Sequence, residues 1–383
     1  MILSFNFLEK WRSVENFNRI IILFLLASMA LCPNLWLSER YFPTAPLFDF
    51  FHFNNAKFDL MLLYLFGLFA ILSLIYAEKK VFIIGLIISS VILSILDINR
   101  LQPWFYQYIL MLIFVTIEQK KFTSIKLIFQ LLFLSIYFFS GLAKLNSSFF
   151  SKTIPFLLYN DQAAISGLYG LFKLILYCSP VIEMSIPFLL LTQKWRNWGL
   201  ILIILSHLFI LLLLSPFGIN YNSVVWPWNV FMMIMSILLF YNENNQLLSI
   251  FKTQFQNWSL KISFIIFFIL PLLGLFQFWP ANFSFQLYSG KSKYAKVFLG
   301  EGIFDRIPQK IKNEYQKNNE ERVINCSTWA YFEMNVLPFP SEMIAQSHIN
   351  FFKKYSQEND DFFVCYYEPF IFENDYNIKI ITK

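Results

Sequence analysis

Lys144 closes the run Gly141-Leu142-Ala143-Lys144-Leu145-Asn146 within an otherwise strongly apolar chain. An ammonium held partly out of water is destabilised, and the amine becomes a candidate base. The same residue at a helix end also suits a side chain that snorkels to the surface. Glu183 and His207 each lie nine residues from the inner end of an apolar segment. At about 1.5 Å per residue both sit roughly 14 Å deep. They are therefore expected to meet, either to move a proton or to satisfy one another by a packing hydrogen bond. Asp97, Arg100 and Trp104 belong to the stretch Asp97–Tyr108, which gathers an acid, a base, amides and aromatics. That density suits a site or a lid, and equally an interfacial aromatic belt. Asn222 and Asn229 flank Trp226-Pro227-Trp228; Asn229, one turn deeper, needs a partner. No metal site is expected. The four cysteines, at 32, 178, 326 and 365, form no Cys-x-x-Cys pair, so neither a thioredoxin-like nor a zinc motif is present.

The elements that must position these groups follow from composition. Of 383 residues, 57% are hydrophobic and 14% charged, against roughly 25% charged in a soluble domain. The net charge of +6 is spread over short loops between apolar runs, which argues against a nucleic-acid face. Apolar segments fall at 20–37, 58–76, 81–96, 104–117, 125–142, 171–191, 198–214, 224–241 and 260–279. A crossing helix needs about 20 residues, so about nine transmembrane helices are expected. The third and fourth are short. The first reads as a retained helix, because no small-x-small cleavage site follows it.

Charge sets the expected orientation. With the N-terminus inside, the inner segments carry twelve Lys and Arg residues and the outer loops five, which predicts a cytoplasmic N-terminus. An odd number of spans then exports the tail. Residues 1–280 form the expected membrane domain and 281–383 a small soluble α+β extracytoplasmic domain. In the latter, Phe283–Tyr288 and Tyr294–Leu299 read as a hairpin. Asp305–Asn318 and Ser341–Tyr355 read as helices, and Arg322–Glu333, Phe362–Glu368 and Ile378–Thr382 as strands. Cys326 and Cys365, both in strand-like segments of an oxidising compartment, are expected either to pair or to stay as two buried thiols.

The membrane segments resemble the transmembrane domain of vitamin K-dependent γ-carboxylases and their bacterial relatives, the horizontally transferred transmembrane (HTTM) domain family. Ile136-Tyr137-Phe138-Phe139-Ser140-Gly141-Leu142-Ala143-Lys144-Leu145-Asn146 is similar to the carboxylase run in which a lysine is the proposed base toward vitamin K hydroquinone. Glu183 in Val181–Pro187 resembles the family's glutamate–x–x–x–proline helix, and His207 a membrane histidine in the next helix. Phe283–Ser289 resembles the strand entering the exported domain. A gap-free alignment puts Trp104 where the carboxylases have a functional histidine. The resemblance implies a carboxylase-like or quinol-dependent enzyme of the bacterial inner membrane. Lys144, His207 and Glu183 would be catalytic, with Asp97, Arg100, Trp104, Asn222 and Asn229 binding a lipid-soluble quinol or isoprenoid. The alternative is a non-catalytic scaffold whose exported domain binds an envelope protein. Its aromatic run Trp329–Pro338 would supply either a contact surface or a core.

Overall fold

The computed structural model describes residues 5–48, 56–118, 121–158, 166–243, 246–316, 322–357, 362–371 and 375–382. Lys120 and the last residues of the expected Asp305–Asn318 helix lie outside them. The chain is mostly helical, with a small four-stranded sheet near the C-terminus. The helices before that sheet are α1 (Phe5–Trp11), α2 (Val14–Ala30), α3 (Pro33–Trp36), α4 (Ala56–Ile75), α5 (Lys80–Leu96), α6 (Pro103–Glu118), α7 (Phe122–Lys144) and α8 (Ile154–Leu158). They continue as α9 (Tyr169–Leu191), α10 (Arg196–Leu214), α11 (Val225–Phe240), α12 (Leu247–Gln254), α13 (Trp258–Phe264) and α14 (Leu270–Leu275).

Among the described residues, five helices are long and apolar enough to cross a membrane: Ala56–Ile75, Phe122–Lys144, Tyr169–Leu191, Gln193–Leu214 and Trp258–Leu275. The first expected segment is helical only to Ala30, and Pro33 opens a separate short turn. The expected segment 260–279 ends early, at Leu275. A π-helical stretch, Ile265–Ile269, joins α13 to α14. Its Phe267 carbonyl accepts a hydrogen bond from Ser135 Oγ of α7.

Contacts divide the chain into two compact units. The first comprises Met1–Ser28, Phe66–Ile88 and Pro103–Gly290; the second comprises Met29–Leu65, Ser89–Gln102 and Lys291–Lys383. In the first, α7 is the axis. Its apolar window is 83% buried, against 28% for α9 and 33% for α10. Such a helix is apolar all round because protein surrounds it. Gly141 lets α9 approach closely, since a Cβ there would lie 2.6 Å from the Pro180 carbonyl oxygen and 2.7 Å from the Met184 nitrogen. Small residues at such crossings bring backbones together. Pro180 lacks the N–H that would meet the Leu176 carbonyl, and Ser179 Oγ donates to that carbonyl instead at 2.8 Å.

In the second unit, β1 (Tyr294–Leu299), β2 (Val323–Asn325), β3 (Phe362–Pro369) and β4 (Tyr376–Ile381) form one antiparallel sheet in the order β2-β1-β3-β4. Ala295, Val297 and Leu299 alternate inward along β1, the period-two pattern of a half-covered sheet. Helices α15 (Glu301–Arg306), α16 (Gln309–Gln316), α17 (Cys326–Met334) and α18 (Glu342–Phe352) complete the unit.

Three expectations are corrected here, and the alternative left open for the cysteines resolves to its unpaired form. Phe283–Tyr288 is not a strand: Ala281–Ser284 forms a 3₁₀ turn, and Phe285 takes a left-handed φ of 57°. Pro308 divides the Asp305–Asn318 helix into α15 and α16. Arg322–Glu333 is a strand only to Asn325. That side chain then accepts from the Ser327 and Thr328 N–H groups and starts α17. Cys326 and Cys365 are free thiols. Strand β1 runs between β2 and β3, so the cysteine-bearing segments are two strand spacings apart, about 9–10 Å. A disulfide needs Cα atoms within about 7 Å. Ser341 caps α18 as expected, accepting from the Met343 N–H. Strands β3 and β4 also fall where sequence placed them.

Candidate functional site

One stripe of α7 carries Tyr137, Ser140, Gly141 and Lys144. The spacing of three, four and seven residues puts them on a single helix face. Side chains on a helix point back toward its N-terminus. Lys144, the last residue of α7, therefore bends inward: Nζ donates to Ser140 Oγ one turn below, at 2.9 Å. It also donates to both carboxylate oxygens of Glu183, at 2.7 and 2.6 Å. The lysine side chain is 10% exposed and that of Glu183 13%. This is not a lysine stretched to the surface; the amine is turned into the bundle and paired.

Two turns earlier on the stripe, Tyr137 meets His207 of α10, with Oη 2.8 Å from Nε2. The other ring nitrogen, Nδ1, lies 2.7 Å from Asn229 Oδ1 on α11. Asn229 Nδ2 donates to the Val225 carbonyl at 2.7 Å, which orients the amide so that its oxygen faces the imidazole. Nδ1 therefore carries the hydrogen, and in the neutral ring the Nε2 lone pair accepts from the Tyr137 hydroxyl. The amide orientation and the histidine tautomer are both assigned from this network. The ring also feels both charges of the Lys144–Glu183 pair.

Four helices thus bring together Lys144, Glu183, His207 and Asn229, all of which the sequence singled out. The expected direct bond between Glu183 and His207 is not made. Lys144 occupies Glu183, while Tyr137 and Asn229 occupy the imidazole. Counting depth from the loop between α9 and α10 put the two groups level. Their partners on α7 lie seven residues apart, about 10 Å along the axis. Tyr137 belongs to the Ile136–Asn146 run, and its place on the Ser140–Lys144 stripe is the sequence signal that marks it.

The remaining candidates lie elsewhere. Asn222 Nδ2 donates to Tyr288 Oη at 2.8 Å. Trp104 is buried, with its ring edge-on to Phe105 and Tyr108. Asp97 and Arg100 are fully buried in the second unit. Asp97 pairs with Arg40 and accepts from the Ala45 and Asn99 N–H groups. Arg100 Nη2 donates to Asp59 at 2.7 Å and to the Trp36 carbonyl at 2.9 Å, and Nε donates to the Leu35 carbonyl at 3.2 Å. These bonds tie loop segments together, and buried charges of this kind persist only when paired and hydrogen-bonded. In the Trp329–Pro338 run, Trp329, Ala330, Met334 and Val336 are core, while Phe332 and Leu337 are exposed.

A cavity of about 370 Å³ adjoins the start of α10 and the end of α11. Lys126, near the start of α7, bonds to Glu243 in its wall, so it lies at the opposite end of α7 from Lys144. Among the described residues no cluster of three or more His, Cys, Asp and Glu side chains suits a metal ion. Comparison with family models, with curated proteins and with solved structures finds no match for this chain.

Proposed function

We propose that this is a multi-pass membrane enzyme, carboxylase-like in its membrane domain, that takes a proton from a lipid-soluble quinol or isoprenoid substrate. The observation that carries this reading is the inward turn of Lys144 onto Ser140 and Glu183, on the stripe that also holds the Tyr137–His207–Asn229 chain. The ammonium passes one proton to Glu183 and frees the Nζ lone pair. A quinol hydroxyl then gives its proton to Nζ, and the quinolate is left beside the re-formed ammonium. Such a base must lie within hydrogen-bonding reach of the proton it takes. Ionisable groups inside apolar helices mark functional sites by default. Nine spans, a cytoplasmic N-terminus, the bacterial inner membrane and an extracytoplasmic C-terminal domain complete the reading. The charge asymmetry of the loops supports the orientation, and the five long apolar helices support a bilayer setting.

The test is mass spectrometry of lipid extracted from purified protein, wild type against Lys144→Ala. A quinone or isoprenoid retained by the wild type and depleted in the variant is expected. Equal extracts from the two would overturn the substrate assignment. The scaffold reading draws on a separate observation: the Asp97–Arg100 cluster is saturated by its own unit, so those residues are structural. An envelope protein recovered with the wild type and with Lys144→Ala alike, without lipid, would favour it.

A further inference from the structure

We propose that the cavity between the start of α10 and the end of α11 binds the phosphate headgroup of an anionic phospholipid. Apart from Phe240, its lining is polar, with two cations and one carboxylate: Gln193, Lys194, Arg196, Asn197, Asn242 and Glu243. Its size falls within the roughly 300–1,000 Å³ typical of ligand sites. Arg196 is buried in its wall. Nε donates to the Leu190 carbonyl at 2.8 Å, and Nη1 donates to the Glu243 carbonyl, so the guanidinium is held in place before any ligand arrives.

The one carboxylate in the wall does not oppose an anion. Glu243 pairs with Lys126 and lies 3.5 Å from Arg12 Nη1. Arg12 is also paired with Glu9, at 2.6 Å, so Arg12, Lys126, Lys194 and Arg196 stand against two carboxylates, and the cavity wall itself keeps Lys194 and Arg196 against the already paired Glu243. The amides of Gln193, Asn197 and Asn242 supply further donors suited to phosphate oxygens.

A lipid source is favoured over a soluble one by what surrounds the rim. Trp195 and Trp198 are 46% and 58% exposed, and indoles concentrate where a membrane meets water. Lys194 Nζ lies 5.3 Å from the Trp195 ring centroid, which places a cation and an aromatic side by side at the rim. By the positive-inside reading, the cavity lies on the side whose segments carry twelve Lys and Arg residues, against five in the outer loops. Basic pockets between helices on the cytoplasmic side take anionic headgroups.

Native mass spectrometry of the full chain, titrated with phosphatidylglycerol or phosphatidylcholine, tests the site. Phosphatidylglycerol should bind preferentially, and Lys194→Glu should lower its affinity about fivefold or more, since each basic residue near a membrane surface contributes about 1 kcal/mol. Arg196→Gln is avoided because Arg196 ties the end of α9 to Glu243. Asn197→Asp, at an exposed rim position, provides a second loss-of-binding variant, and gel filtration confirms that both variants fold. Equal binding of the two lipids, or unchanged phosphatidylglycerol binding in both variants, overturns the proposal. Glycerol phosphate that binds alone and displaces phosphatidylglycerol would assign the pocket to a soluble phosphate and overturn the lipid assignment.

Discussion

Lys144 and Glu183 lock each other into place, because each would be an uncompensated charge without the other. Removing one partner of a buried pair typically costs about 3–5 kcal/mol, whereas replacing both with apolar or neutral groups is often close to neutral. Lys144→Met should therefore lower the unfolding midpoint in detergent more than the double substitution with Glu183→Gln does. Additive losses in a double-mutant cycle would show that the two groups are not coupled. Gly141 acts on the same pair through the backbone. A methyl at 141 meets the Pro180 carbonyl oxygen and the Met184 nitrogen below 3 Å, and backbone atoms cannot swing aside. Gly141→Ala should destabilise by about 1–3 kcal/mol, as overpacking does. Gly67→Ala, with nothing within 4 Å of its added methyl, should gain up to about 1 kcal/mol from helix propensity. Thermal unfolding of the two variants in the same detergent compares them directly. The key residues were legible because ionisable groups are conspicuous in long apolar runs. Their pairing was not, because it depends on which helix lies between them. The burial of α7 decides that, and hydropathy does not report it.

At the scale of the element, α18 holds the clearest pH response. His348 is fully buried between the Phe42 and Trp329 rings, with centroids 4.9 and 5.5 Å away. Nδ1 meets the Ile344 carbonyl at 2.6 Å, and Nε2 has no hydrogen-bond partner. Burial pushes this histidine down to about 4, against 6.5 for the free side chain. A depressed histidine pKa means that the unfolded chain takes up the proton first. Stability is therefore full above about 6.5 and falls as pH drops toward 4, by a total of about 3 kcal/mol. Glu368 acts in the same direction at lower pH. The hydrogen bond from Lys293 holds its carboxyl below the usual range, and that contribution is lost as the carboxyl protonates. Amide exchange in the 342–352 peptide, corrected for intrinsic rate, should rise between pH 6.5 and 4.5, and His348→Phe should flatten the rise. An unchanged profile in that variant would remove His348 as the cause. The Ser341 cap made α18 readable from sequence. In contrast, α17 was hidden because Val323-Ile324 favours a strand, and Asn325, the residue that ends it, acts through its side chain. The expected hairpin at Phe283–Tyr288 failed for a related reason: the turn geometry at Phe285 overrides an alternating pattern.

At the scale of the whole molecule, the proposed topology makes two surfaces face different compartments. Lys252, on α12, belongs to a segment assigned to the cytoplasmic side by the positive-inside rule, whereas Lys354 belongs to the proposed exported domain. Both are exposed, so a cysteine at either position should react freely once a reagent reaches it. The chain's own thiols set the background: Cys32, Cys326 and Cys365 are buried, but Cys178 is exposed on α9. Cys178→Ser therefore precedes the test. In intact cells an impermeant maleimide should label Lys354→Cys, and it should reach Lys252→Cys only after lysis. Labelling of both only after lysis would place the sheet-bearing segment in the cytoplasm. That would mean that Trp258–Leu275, the apolar segment between the two positions, does not cross. The opposite pattern, with Lys252→Cys labelled first, would invert the molecule. It would also move the Arg196 cavity to the outer face, where the charge bias used to orient it no longer applies.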